Sequence, residues 1–414
     1  MIKRNISLCR SILYYYWNVM IYPLIKLYKM APQRFAYLLL TVSILTIFSC
    51  NPKQNKPEIA SLFDAIPDSL LVSKVLYASG FDLYEVHQIR KLVVYHPELP
   101  GTIIATFYIA DSSVLTDFEV RNAPNIIKLN SERAAVFSAT QLNAFDKLSL
   151  LGHVIGITEG EYINNRHIKE KLEKGEIIEL GANNHFFIEK IMSVQPDYIF
   201  YSPYKFTAKH PLKVTGIPLI PFYDYHENTP LGRAEWVKFS AAFFDGYARA
   251  DSLFKDIERQ YTTYRSLTKD VASKPTVFSD KYFNGQWYVP GGKSYIATLF
   301  KDAGADYLWK DDQHTGSFPL DYEIVYSKAY EADFWRIVGS YDDIPSYDAL
   351  AEENSLYENF KAFKTKHVLW CDAQKTAYFE RSSLEPHLVL ADLIFAFHPK
   401  VLPGYQPKYY HILE

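Results

Sequence analysis

Two spacings of apolar residues alternate along most of this chain. Runs such as "KLVVYHP", "GTIIATFYIA", "RAAVFSAT" and "HVIGITEG" are short and almost wholly apolar, and they predict strands. "KVLYASGFDLYEV" before them reads the same way. "QLNAFDKLSLLG" and "NHFFIEKIMSVQ" place apolar residues three and four apart and predict helices, the second stopped by Pro196. "DYIFYSP" and "TGIPLIPFYDY" continue as strands. Short apolar strands alternating with helices predict an α/β fold built on parallel sheets.

From Trp236 the large or apolar positions run Trp236, Phe239, Phe243, Tyr247, Ala250, Phe254, Ile257, Tyr261 and Tyr264, always three or four apart. That stripe predicts a single helix over 233–268, roughly 50 Å long. After Pro275 the alternation restarts. "TVFSDKY", "FWRIVGS" and "HVLWCDA" read as strands, and "GKSYIATLFKDAG", "LDYEIVYSKAY", "SLYENFKAFKTK" and "EPHLVLADLIFAFHP" as helices. The expected organisation is an N-terminal α/β lobe over 74–231, an interlobe helix over 232–269 and a C-terminal α/β lobe over 270–414.

The 414 residues carry a net charge of −3 that hides an asymmetry. Residues 1–49 hold six basic side chains and no acidic one, so the remainder carries 38 basic residues against 47 acidic. That balance gives no electrostatic footprint for nucleic acid. The basic start precedes "FAYLLLTVSILTIFS", Phe35 to Ser49, an uncharged stretch of 15 residues. It is short for a membrane span, which takes about 20 residues, and suits a signal-peptide core. A start at Met30 would give a compact signal. The run ends at "IFSC", which resembles a bacterial lipoprotein signal with Cys50 as the lipidated residue; a plain secretory signal or a membrane anchor is the alternative. The polar residues after Cys50, with two prolines, read as a tether reaching residue 73. Cys371 is the one cysteine beyond Cys50, so no disulfide framework is available, and its apolar neighbours predict burial.

"QWYVPGGKS" raises the question of a phosphate loop. Such a loop needs a glycine five positions before Gly292, and Trp287 stands there. His226 beside Glu227 has no His-x-x-x-His, Gly-x-Ser-x-Gly or dinucleotide glycine pattern to support an enzyme.

The phrases "GANNHFFIEKIMSVQPDYIFY", "GIPLIPFYDYHENTPLGRAEWVKF", "NGQWYVPGGKSYIATLFKDAGADYL", "YEIVYSKAYEADFW" and "EPHLVLADLIFAFHP", in this order, resemble the periplasmic substrate-binding proteins of ABC importers for iron–siderophores, cobalamin and haem. The resemblance runs from about Lys74 to His398. It implies two Rossmann-like lobes joined by one long rigid helix, a ligand cleft between them, and binding rather than catalysis, with no cofactor or resident metal. It also implies a monomer in the periplasm, lipid-anchored to a membrane, that docks on an ABC permease through one exposed glutamate per lobe. These would be Glu189 in "FFIEKIMSVQPD" and Glu323 in "LDYEIVYSKA", although an acidic residue in a first helical turn also suits the helix dipole.

For the cleft, the resemblance implies ligand contacts from Ser138, Thr140 and Gln141 after the first N-lobe strand, and from Tyr225, His226, Glu227 and Arg233. Arg233 could instead simply begin the long helix. The C-lobe would add Trp287 and Tyr288 from the glycine-rich lip, with Tyr378, Phe379 and Arg381 from "TAYFERSS". The two aromatics of the lip could equally be core. Arginine with aromatics favours an anionic iron–siderophore. Tyr288 or His226 leaves haem open, and the aromatic supply leaves cobalamin open. A chelatase-like tetrapyrrole enzyme and a lipoprotein without an ABC partner are the competing classes.

Overall fold

The computed structural model describes residues 63, 66–67, 71–115, 123, 125–182, 185–203, 210–340 and 346–414. The signal, Cys50 and most of the tether lie outside the described residues. Ile59–Glu414 forms one compact unit.

The described chain begins with an antiparallel meander of β1 (Phe81–Val86), β2 (Ile89–Tyr95) and β3 (Ile103–Ala110), to which β4 (Ile126–Lys128) adds in parallel. His87 and Gln88 both take positive φ, 49° and 67°, the two-residue turn geometry that matches strand twist. One face, with Leu83, Leu92, Val94, Phe107 and Ile109, joins the main core. The other covers a smaller cluster around Phe63, Ile89 and Tyr108.

The N-terminal lobe follows. β5 (Ala134–Val136), β6 (Val154–Ile157), β7 (Ile178–Glu179), β10 (Tyr198–Tyr201) and β11 (Leu219–Pro221) form a parallel sheet in the order β11-β10-β5-β6-β7. Helices α1 (Ala139–Lys147), α2 (Arg166–Glu173) and α3 (Ile188–Val194) connect them, and a hairpin of β8 (Gly181–Ala182) and β9 (His185–Phe186) rises beside the strand ends. All three residues of β5 are buried, as are Tyr198, Ile199 and Phe200, which is why these strands read as continuous apolar runs.

Where the stripe from Trp236 predicts one helix, the chain forms two, α4 (Pro230–Ala241) and α5 (Tyr247–Leu267). The break at Ala242–Gly246 sends the adjacent Phe243 and Phe244 both into the core, which one helical face cannot do. Its freed carbonyls are satisfied by the meander. The Arg90 guanidinium donates to the Ala242 and Phe244 carbonyls at 2.8 and 2.7 Å, and the Asn130 N–H donates to the Phe243 carbonyl at 3.0 Å. The apolar period continues through the break, so periodicity alone does not see it. α4 is buried on nearly every side, whereas α5 buries a single stripe of Ala250, Phe254, Ile257 and Tyr261.

The C-terminal lobe repeats the plan. β12 (Thr276–Ser279), β15 (Asp306–Tyr307), β17 (Phe334–Gly339) and β18 (Val368–Asp372) are parallel in the order β15-β12-β17-β18, and β19 (His411–Ile412) closes the edge antiparallel. β13 (Tyr282–Phe283), β14 (Gln286–Pro290) and β16 (Ser317–Leu320) make a small antiparallel sheet. The helices are α6 (Tyr295–Asp302), α7 (Tyr322–Ala329), α8 (Tyr347–Glu353), α9 (Lys361–Lys364), α10 (Tyr378–Arg381) and α11 (Pro386–Phe397). "SLYENFKAFKTK", expected as one helix, is a 3-10 turn over Ser355–Asn359 followed by the single turn of α9. The architecture is thus two α/β lobes with helical residues 230–267 between them.

Candidate functional site

In an open parallel sheet, solutes bind in the crevice beyond the carboxyl ends of the strands. Here the loops after β5, β6 and β10, with the β8–β9 hairpin and Tyr225, enclose a cavity of about 770 Å³, within the range of small-molecule sites. Its wall is aromatic. Phe137 stacks on Phe186 with ring centroids 5.6 Å apart, and the His210 ring lies 5.6 Å from Phe186 and 4.7 Å from Tyr201. Tyr225 is held in place by donating its hydroxyl to the Pro203 carbonyl at 2.6 Å. Glu159 at the lip is in the left-handed region, its N–H bonded to the Gly181 carbonyl. No arginine or lysine lines this cavity among the described residues.

Two histidines line it, with different chemistry. His210 accepts from the Leu212 N–H through Nδ1 at 3.3 Å, and burial pushes its pKa down, so the ring is neutral with Nε2 carrying the proton. It presents a hydrogen-bond donor. His185, on the hairpin, is exposed. Among the described residues no group of three or more His, Cys, Asp or Glu is placed to hold a metal ion.

Of the residues expected at the ligand, Ser138 and Tyr225 line this cavity. Thr140 pairs with Ser138 through their hydroxyls at 2.8 Å, and His226 packs 4.3 Å from the Tyr225 ring. Gln141 is fully buried behind the wall and donates from Nε2 to the Ser202 hydroxyl, its Oε1 left without a partner among the described residues.

Residues 135–375 match the family described as periplasmic binding protein. The chain belongs to that family. An uncharacterized lipoprotein of Methanocaldococcus jannaschii is 31% identical over 305 residues, 71% of this chain and 70% of that protein. A periplasmic heme binding protein from Pseudomonas aeruginosa superposes with a TM-score of 0.52 at 16% identity, covering 67% of this chain and 96% of its own. A protein of an ABC-type Fe3+-hydroxamate transport system from Saccharomonospora viridis superposes with a TM-score of 0.51 at 16% identity, covering 65% of this chain and 94% of its own. The two structures share the fold with this chain.

The periplasmic binding protein fold corrects several expected contacts. Trp287 is core: fully buried, it donates Nε1–H to the Ser279 carbonyl and packs on Phe278, Trp335 and Phe360. Glu227 is also structural. Its buried carboxylate accepts from the Ser79 and Gly80 N–H groups, the Ser79 hydroxyl and Trp236 Nε1–H, all within 3.0 Å. Glu235 on α4 does the same for the Leu76, Tyr77 and Ala78 N–H groups. Two carboxylates therefore pin the segment ahead of β1. Tyr288 lies opposite Pro319 on β14, half exposed and outside the cavity wall. Gly291 and Gly292 serve close approach: a Cβ at either would meet backbone oxygens of His314, Lys310, Asp312 or Trp309 at 2.2–2.6 Å.

The other three expected C-lobe contacts lie where the lobes meet. α10 packs on α1, and Glu380 accepts from the Asn164 N–H at 2.7 Å. Tyr378 is buried and accepts from the Tyr410 hydroxyl, while Phe379 and Arg381 are exposed. Arg233 pairs with buried Asp224 at 3.3 Å and lies 5.5 Å from the Tyr295 ring of the other lobe. Lys147 of α1 reaches Glu385 of the C-lobe at 3.4 Å. Glu189 and Glu323 are exposed in the first turns of α3 and α7, one per lobe. Sequence reasoning missed Phe137, Phe186, Tyr201, His185 and His210. The usable signal was position: each ends or follows a parallel strand or sits on the hairpin beside the strand ends.

Proposed function

We propose that this chain is the solute-binding component of an ABC importer and takes a metal chelate of the iron-chelate, haem or cobalamin class into the cavity at the N-lobe strand ends. The observation that carries the reading is the aromatic wall of Phe137, Phe186, Tyr201 and Tyr225 with two histidines. The expectation of an anionic siderophore rested on Arg233 and Arg381. Arg233 is neutralised by Asp224, and Arg381 is not part of the wall. The described part of the wall is aromatic and, among the described residues, carries no arginine or lysine, which favours a flat tetrapyrrole chelate, haem or cobalamin, over an anionic ferric siderophore. His185 offers an imidazole for an open metal position, and His210 Nε2–H a donor to a solute oxygen.

Delivery to a permease is supported by the paired placement of Glu189 and Glu323, and anchoring at Cys50 by the lipoprotein relative. The test is calorimetric titration with haem, cobalamin and a ferric siderophore in parallel. One of the tetrapyrroles should saturate at one equivalent and be recovered unchanged. Chemical conversion of the solute, or tight binding of the siderophore alone, would refute the reading.

A further inference from the structure

A second cavity, about 810 Å³, opens on a different part of the molecule and shares no lining residue with the first. Four elements build it: the pinned segment at Leu76–Tyr77, the start of α4 at Thr229–Leu231, one face of α5, and α6 with the β15 edge. Its frame is tied by side-chain bonds. The Tyr77 hydroxyl donates to Glu258, Tyr261 to Asp302 at 2.7 Å, Tyr307 to the Pro290 carbonyl, and Thr298 to the Asn228 carbonyl. Gly292 lets the 309–312 backbone close one wall.

Against this fixed frame stand four cations from four separate places: Arg265 on α5, Lys274 before β12, Lys301 on α6 and Lys310 after β15. Lys310 is paired with Asp306 at 2.5 Å. Arg265, Lys274 and Lys301 make no ion pair among the described residues. The acidic groups facing the cavity are Asp302 and Asp306; burial raises the Asp302 pKa, opposed by the Tyr261 hydrogen bond and the nearby charges of Arg265 and Lys301, so three cations outside the Lys310–Asp306 pair face one carboxylate. Cations gathered at a cavity mouth concentrate anions there, and hydrogen bonds from ionised donors to an oxyanion are the strong kind.

We propose that this cavity binds a small, multiply charged oxyanion from solution, held by Arg265, Lys274 and Lys301. The bound anion bridges α5 to the C-terminal lobe. The site is independent of the chelate cavity.

The experiment uses the full chain in detergent and two probes, pyrophosphate and citrate, titrated by calorimetry at low salt. One-to-one binding of at least one probe is expected, falling with added salt. A Lys274→Ala/Lys301→Ala double variant, both positions being exposed, should weaken it at least about tenfold. Tyr225→Ala should leave it unchanged. Preference between the probes assigns phosphate or carboxylate chemistry. No saturable binding of either probe at millimolar concentration, or binding unaltered in the double variant, would overturn the proposal.

Discussion

Replacing Glu227 by alanine separates a ligand role from a structural one. The carboxylate is 4% exposed and accepts four hydrogen bonds, from Ser79 N–H, Ser79 O–H, Gly80 N–H and Trp236 Nε1–H. A hydrogen bond to a charged group contributes about 1.5–3 kcal/mol, so four set an upper bound of about 6–12 kcal/mol. Water entering the vacated space and relaxation of residues 79–80 recover part of this. Losing one partner from a buried charged network costs about 3–5 kcal/mol, and that is the expected range. In thermal unfolding it corresponds to a Tm at least about 5 °C lower. Glu227→Gln, whose amide oxygen still accepts, should fall between wild type and alanine. Affinity for the chelate should change little in either variant. An unchanged Tm in Glu227→Ala, with affinity reduced about tenfold, would refute the reasoning and return Glu227 to the ligand.

Trp287→Ala should cost about 3–5 kcal/mol by opening the aromatic core around Trp335 and Phe360, seen in denaturant unfolding without specific loss of solute. Charge reversal at both Glu189 and Glu323 should abolish uptake in a transport assay while solute affinity stays unchanged; undiminished uptake would remove the docking assignment. His387 is buried, its Nδ1 has no partner among the described residues, and burial lowers its pKa. Its unfolded form therefore binds the proton first, so its contribution is intact above the ordinary histidine pKa of about 6.5 and is lost as pH falls below it. His387→Leu should accordingly show a smaller drop in Tm than wild type between neutral and mildly acidic pH.

Much of the fold was legible because buried parallel strands leave an unmistakable mark. "RAAVFSAT", "DYIFYSP" and "HVLWCDA" are apolar on both faces, and each became a central strand, β5, β10 or β18. Cys371, within the last, is buried with its thiol pushed up to about 12, as its neighbours predicted. The helix break at Ala242–Gly246 was hidden because the residues that satisfy it, Arg90 and Asn130, lie more than a hundred positions away. The site was only partly legible for a related reason. An aromatic type does not say which way it faces: Trp287 turned into the core and Tyr225 toward the cavity. An acidic residue near a candidate lip can equally be an anchor, as Glu227 is, when unpaired N–H groups of a distant segment need an acceptor.

The most direct measurement is the position of the metal in crystals grown with the best-binding chelate, located by its anomalous scattering. A single peak in the cavity between Phe137, Phe186 and Tyr225 is the predicted result. A peak at the α10–α1 seam, or on the Tyr288 face of the small C-lobe sheet, would contradict the account.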